Sequence, residues 1–134
     1  MTLKNTDVTL TLTTVQRADE TDKFTLTHKA TLTQKNDSYY ITYDDGEPNI
    51  ITIKQNEVRI TKPRSQSALT FEQNREHVSN YVTPVGKMSV SVFTHKLLNE
   101  FEALGRVFIK YRLDFGGSAT TENDITIKIQ EIKK

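Results

Sequence analysis

Strict alternation of apolar and polar residues is the feature that most constrains the fold of this chain. Val8, Leu10 and Leu12 alternate with threonines in residues 8–13, and residues 107–115 repeat the pattern with larger apolar side chains. Successive side chains of an extended strand point to opposite faces, so a period of two residues predicts a half-buried strand and excludes a helix. The many threonines before residue 35 fit this fold, because a side chain branched at Cβ suits a pleated surface.

The alternation, together with the polar turns between the alternating segments, predicts about ten strands. We place them at residues 8–13, 22–34, 38–43, 49–54, 57–62, 67–71, 77–82, 87–96, 106–116 and 125–130. Residues 97–105 are expected to hold one helical turn before Gly105, and residues 116–124 to form a loop. The pattern at 77–82 leaves two interpretations open. Either Val78 and Val82 face inward, or His77, Ser79 and Tyr81 do so.

Short connections between these strands indicate that sequential strands are antiparallel neighbours, which gives a meander. Ten strands in one open sheet would expose two edges and a whole apolar face, so the sheet must either close or form two packed layers. Of these two solutions we predict closure. The sequence therefore predicts an all-β fold, in which a single antiparallel meander of about ten strands closes into a β-barrel as one domain over residues 1–134.

Charge and cysteine content exclude several classes of function. The 134 residues contain 18 basic and 17 acidic side chains, evenly spread, whereas a nucleic-acid interface usually needs clustered Lys and Arg. We therefore expect no nucleic-acid partner. The chain has no cysteine, its amino terminus lacks the apolar core of a signal peptide, and no apolar run approaches the roughly 20 residues of a membrane-spanning helix. These features predict a cytoplasmic protein that does not insert into membranes.

Several segments resemble one family of bacterial proteins. They are LTFEQNREHVSNYVTPVGKMSVSVFTHKL, GRVFIKYRLDFGG and NDITIKIQEI, and the resemblance extends over nearly the whole chain. In these segments the chain is similar to the YwiB-like family of uncharacterised proteins, which have a lipocalin-like (calycin) β-barrel. Arg64 stands where that family tends to carry an arginine after its fifth strand, although Ser65 and Gln66 replace the glycine that often follows. The resemblance implies a bacterial origin and a lipocalin-like barrel, and it implies no reaction.

Four side chains are candidates for contacts with a ligand inside the barrel. His28 interrupts an apolar face between Leu26 and Ala30, where an unpaired polar group would be costly. Tyr43 and Tyr111 share the inward face, and each hydroxyl needs a partner. Arg64 is expected near the mouth, where a guanidinium suits a carboxylate or phosphate. The first functional hypothesis is therefore a small amphipathic ligand with an anionic or polar head. Each residue also has an ordinary structural interpretation, as part of the core or of a solvated loop.

A second hypothesis makes the protein an interaction module with a filled, collapsed barrel. Phe93 and Phe108 are predicted to point outward from neighbouring strands, which would provide a surface for a homodimer. Catalysis ranks third, because the chain contains no nucleophile elbow, phosphate-binding loop or dinucleotide motif. We expect no enzyme activity, no cofactor and no metal site, since the three histidines lack metal-ligand spacing.

Overall fold

The computed structural model describes the backbone of residues 4–16, 23–83, 86–116 and 120–132, and the side chains of these residues except 4 and 81–83. They form ten strands and one helical turn. The elements are β1 (Lys4–Gln16), β2 (Lys23–Lys35), β3 (Ser38–Asp44), β4 (Pro48–Ile53), β5 (Val58–Lys62), β6 (Ser67–Phe71), β7 (Glu76–Thr83), β8 (Gly86–Glu100), α1 (Phe101–Leu104), β9 (Arg106–Asp114) and β10 (Thr120–Glu131). The predicted all-β fold of ten strands is confirmed.

The strands form one antiparallel sheet in the order β6-β5-β4-β3-β2-β1-β10-β9-β8-β7. β1 and β10 pair at its centre, so the two termini of the meander meet in the middle of the sheet. The outer strands β6 and β7 come side by side but share no ladder over the described residues. The turn between them joins β8 instead, because the Asn74 N–H donates to the Thr94 carbonyl at 2.8 Å. The result is the predicted lipocalin-like barrel, nearly closed.

The middle of the barrel is filled with aliphatic side chains from nearly every strand. The largest fully buried residues are Phe71, Leu10, Ile41, Ile51, Ile53, Ile109, Ile127, Val8, Val58, Val90, Val92 and Val107. Ten strands have a wider circumference than the eight that side chains just fill. Here the interior is nevertheless filled by the chain's own side chains, so space for a ligand must be sought where the inner face is left uncovered.

Two predicted boundaries are wrong. β10 begins at Thr120, which pairs with Asp114, so residues 120–124 belong to a strand and not to a loop. β8 continues to Glu100 and does not end near Lys96. A bulge between Thr94 and Lys96 adds one residue, so each later side chain lies on the face opposite to the one that strict alternation predicts. Leu97 therefore packs on the core while Leu98 is 42% exposed. The helical turn at α1 is confirmed, and it ends at Gly105 with φ of 68°.

Gly105 is required by the turn in which it lies. Its N–H donates to the Phe101 carbonyl, and its own carbonyl accepts from the Ile129 N–H, both at 2.9 Å. A Cβ at this position would stand 3.2 Å from the Ile129 carbonyl oxygen. Since left-handed backbone already disfavours other residues, both strain and crowding select glycine.

The register of β7 decides which of its faces points inward. His77 pairs with Val92 and Ser79 with Val90, and both valines belong to the core. Val78 is 66% exposed on the other face. The second of the two interpretations is therefore right for His77 and Ser79, while the side chains of Tyr81 and Val82 lie outside the described residues. The hairpin from β7 to β8 closes with Thr83 opposite Gly86.

Candidate functional site

An exposed apolar surface lies on the inner face of β2. Phe24 and Leu26 share this face with Ala30, yet they are 63% and 54% exposed. β2 pairs with β1 as far back as Lys23, whereas its pairing with β3 begins only at Thr31. The first half of β2 therefore extends past β3, and nothing described covers its inner face. We call Phe24 and Leu26 the β2 shelf. Both residues therefore face inward without being covered by β3.

His28 and Tyr43 meet at the inner edge of the shelf. Their ring centroids are 5.0 Å apart with the planes tilted by 31°. His28 lies opposite the fully buried Leu10, which places it on the inner face as predicted. Both side chains are half-buried. Neither side chain makes a described hydrogen bond, so their polar atoms remain available for a ligand.

Asn49 adds a polar group to the site that was not predicted from the sequence. It pairs with Tyr43 across β3 and β4 and is fully buried. Its side-chain amide donates to Asp45 Oδ1 at 2.8 Å and to the Glu47 carbonyl at 3.0 Å, which fixes the orientation of the amide. Its carbonyl oxygen Oδ1 has no described donor. A buried acceptor without a donor is costly, so this atom marks the site as polar.

Charge at this end of the barrel influences Tyr43. Burial raises the pKa of the Tyr43 hydroxyl to about 12, and the nearby Asp45 carboxylate contributes to the rise. The hydrogen bond from Lys62 lowers the pKa of Asp45, with a further lowering from Asn49. Lys62 Nζ lies 3.0 Å from Asp45 Oδ2. At neutral pH the tyrosine is therefore a neutral hydroxyl beside a charged carboxylate.

Arg64 lies in the turn between β5 and β6, at the same end of the barrel. The adjacent Ser65 donates to both carboxylate oxygens of Glu47 at 2.7 and 2.8 Å, which joins this turn to the turn between β3 and β4. The Arg64 side chain is exposed and makes no described contact with His28 or Tyr43. Its role in binding stays a prediction.

Tyr111 belongs to a different part of the interior. It is 6% exposed, and its ring packs edge-on against Phe71 at 4.8 Å. It pairs with Asn123 on one side and with Thr94 on the other, so three polar side chains cross the inner face in a row. No described contact joins Tyr111 to His28 or Tyr43, and the structure brings together only two of the four predicted site residues.

A second candidate pocket lies at the opposite end of the barrel. It is an open groove of about 430 Å³, lined by Gln34, Asp37, Tyr39, Ile53, Lys54, Gln55, Asn99 and Glu102. Asn99 Nδ2 is already bonded to the Lys54 carbonyl at 3.0 Å, and Tyr39 stacks on Phe101 at 4.8 Å. Its apolar lining residues are in use within the fold, since Ile53 is 1% exposed. This groove therefore offers an amphipathic ligand less exposed apolar surface than the β2 shelf does.

The outer face of β8 and β9 contains the two phenylalanines proposed for a dimer. The strands are neighbours as predicted, but Phe93 lies opposite Arg112, and Phe108 opposite Leu98. The Arg112 guanidinium stands over the Phe93 ring at 5.4 Å. Lys96 and Lys110 form a pair between the two phenylalanines, so the apolar surface is interrupted. Dimerisation through this face stays a prediction.

Neither a metal cluster nor a membrane-spanning helix occurs within the described ranges. These residues contain no group of three or more His, Asp or Glu side chains that could hold a metal ion. They also contain no helix long and apolar enough to cross a membrane.

Comparison with known proteins places the chain in a family. A domain of unknown function (DUF1934) matches residues 8–127. The crystal structure of the ywiB protein from Bacillus subtilis superposes with a TM-score of 0.83 at 17% sequence identity, covering 98% of this chain and 96% of that one. At this identity the match supports the fold alone. No curated protein matches significantly. Because the family match spans most of the sequence, the chain belongs to the DUF1934 family, as its resemblance to YwiB-like proteins predicted.

Proposed function

We propose that this protein binds a small amphipathic molecule at the end of its barrel where β2 extends past β3. The observation that carries the proposal is the β2 shelf, where two large apolar side chains on the inner face are more than half exposed. Soluble proteins tend to cover such surfaces unless they bind something. The shelf leads to the half-buried rings of His28 and Tyr43, which supply polar atoms at one end of an apolar surface.

The dimensions of the site suit a ligand with one alkyl arm. His28 is four steps along the chain from Phe24, which corresponds to roughly 13 Å along a strand. The filled middle of the barrel limits how deeply a ligand can enter, since Leu10 opposite His28 is fully buried. The ligand would therefore lie along the shelf with its polar end at the two rings. Arg64 and Tyr111 are proposed contacts only for a ligand that extends beyond this region.

Calorimetric titration with octanol tests the proposal. Wild-type protein should bind, and Leu26→Ser should weaken binding about tenfold, since a lost apolar contact of about 1.4 kcal/mol changes a dissociation constant by that factor. Leu104→Ser is the matched control, because Leu104 is 55% exposed in α1 at the opposite end of the barrel. Undetectable binding to the wild type, or equal weakening by both substitutions, would refute the proposal.

The interaction module remains a second proposal, supported by the filled interior and by the adjacency of the strands that carry Phe93 and Phe108. It ranks lower because Phe93 already packs against Arg112 and His95 within its own chain. On the sequence grounds given above, we also propose that the protein acts in a bacterial cytoplasm.

A further inference from the structure

The groups around Tyr43 specify the chemistry of the polar end of the ligand. This inference rests on the proposed function, because it concerns the same site. We propose that the ligand presents a hydrogen-bond donor, such as an amine or a hydroxyl, to Tyr43 and Asn49, and that a carboxylate is disfavoured there.

The first argument concerns the unsatisfied atom. Both amide hydrogens of Asn49 are used, by Asp45 and by the Glu47 carbonyl, and these partners can only accept. The free atom of Asn49 is therefore its carbonyl oxygen, which can only accept a hydrogen bond. A ligand donor would satisfy it, whereas a carboxylate would add a second acceptor.

The second argument concerns charge. Asp45 is the charged group that acts on the Tyr43 hydroxyl. Asp44 at the end of β3 and Glu47 in the following turn add two more carboxylates, which accept from the Gly46 N–H and the Ser65 hydroxyl. The Lys62 ammonium at this end is held by Asp45 at 3.0 Å. An anion approaching Tyr43 would therefore meet a carboxylate first, and a cation would be attracted.

Access to Asn49 depends on Tyr43. Asn49 is fully buried, while its cross-strand neighbour Tyr43 is half-buried and its hydroxyl has no described hydrogen bond. A head group that reaches the Tyr43 hydroxyl therefore comes next to the strand position of Asn49. To bond the buried Asn49 carbonyl, a small donor must also displace part of the Tyr43 ring from its contact with His28.

Titrations with octylamine, octanol and octanoate at pH 7 test the inference, because the three probes share one alkyl chain. Octylamine and octanol should each bind the wild type at least about tenfold more tightly than octanoate. Asp45→Asn should reduce the ratio between the dissociation constants of octanoate and octylamine about threefold or more. Tyr43→Phe should weaken the binding of octanol. Leu104→Ser again serves as the control and should leave all three affinities unchanged.

The outcomes separate the two proposals. If octanoate binds as tightly as octanol or more so, the inference is overturned while ligand binding stands, and loss of that binding in Arg64→Gln would identify the guanidinium as the anion site. If none of the three probes binds, the proposed function fails and the inference with it. The wild-type comparison is decisive even if a variant folds poorly.

Discussion

Two leucines on the inner face of neighbouring strands distinguish the filled part of the barrel from the open part. Leu10 in β1 is fully buried, whereas Leu26 in β2 is 54% exposed. They are diagonal neighbours on the two paired strands, since Leu10 lies opposite His28 and Leu26 lies opposite Leu12. Replacing each leucine with alanine therefore compares the same chemical change at two nearby positions that differ in burial.

The expected costs differ several-fold. Leu10→Ala removes buried methyl groups and leaves a cavity, which typically destabilises a protein by about 2 to 5 kcal/mol. Full burial of a leucine is worth about 1.5 to 3 kcal/mol. Leu26 is less than half buried and opens to solvent, so Leu26→Ala should cost about 1 kcal/mol or less, with no cavity term. Any loss of strand propensity is shared by both variants and cancels in the comparison.

Urea unfolding at 25 °C measures both free energies. The chain has no tryptophan, so circular dichroism and tyrosine fluorescence are the suitable signals. We expect Leu10→Ala to lower the unfolding midpoint strongly and Leu26→Ala to lower it little, with similar slopes against urea concentration. Equal and large losses would mean that the β2 shelf is covered in the folded protein. A small loss for Leu10→Ala would mean that the middle of the barrel is not packed.

Four further predictions follow from individual contacts. The folded-state pKa of Tyr43 is about 12, above the ordinary 10.0, so the free energy of unfolding should fall as pH rises from 10 to 12. Urea unfolding of Tyr43→Phe across the same pH range should show a smaller fall. The pKa of Asp45 is lowered from 3.8, so its carboxylate stabilises the folded protein most above about pH 4. The difference in the free energy of unfolding between wild type and Asp45→Asn should therefore shrink as pH decreases below 4. Gly105→Ala should cost at least about 1 to 2 kcal/mol in urea unfolding, because a Cβ is strained and crowded there. Light scattering at high concentration should show a dimer if Phe93 and Phe108 form the predicted interface, and a strict monomer would contradict it.

Much of the fold could be predicted from the sequence because one physical rule governs it. The alternation around Val8 and Val107 specifies strands and their buried faces, and short polar turns specify the meander. The bulge at Thr94 and Lys96 was missed, since the pattern there contains two consecutive leucines and does not show where an extra residue enters. The start of β10 was also missed, because residues 120–124 are all polar and show no alternation of apolar and polar side chains.

The candidate site was only half predictable, for a different reason. Alternation shows that Leu26 and His28 share a face, but it cannot show that β3 ends too early to cover that face. The contact between His28 and Tyr43 also depends on the pairing of β2 with β3, which alternation within each strand does not show. Asn49 could have been noticed as a polar residue in phase with Ile51 and Ile53. Its unsatisfied carbonyl depends on the turn that occupies its amide.

Nuclear magnetic resonance mapping of an octanol titration most directly tests the proposal that the β2 shelf binds an amphipathic ligand. We expect the largest backbone amide shifts in residues 24–30 and at Tyr43 and Asn49, with little change at the fully buried Val58 and Val107, which lie toward the opposite end of the barrel. Shifts concentrated around Phe93 and Phe108, or in the groove at Asn99, would contradict a binding site on the β2 shelf.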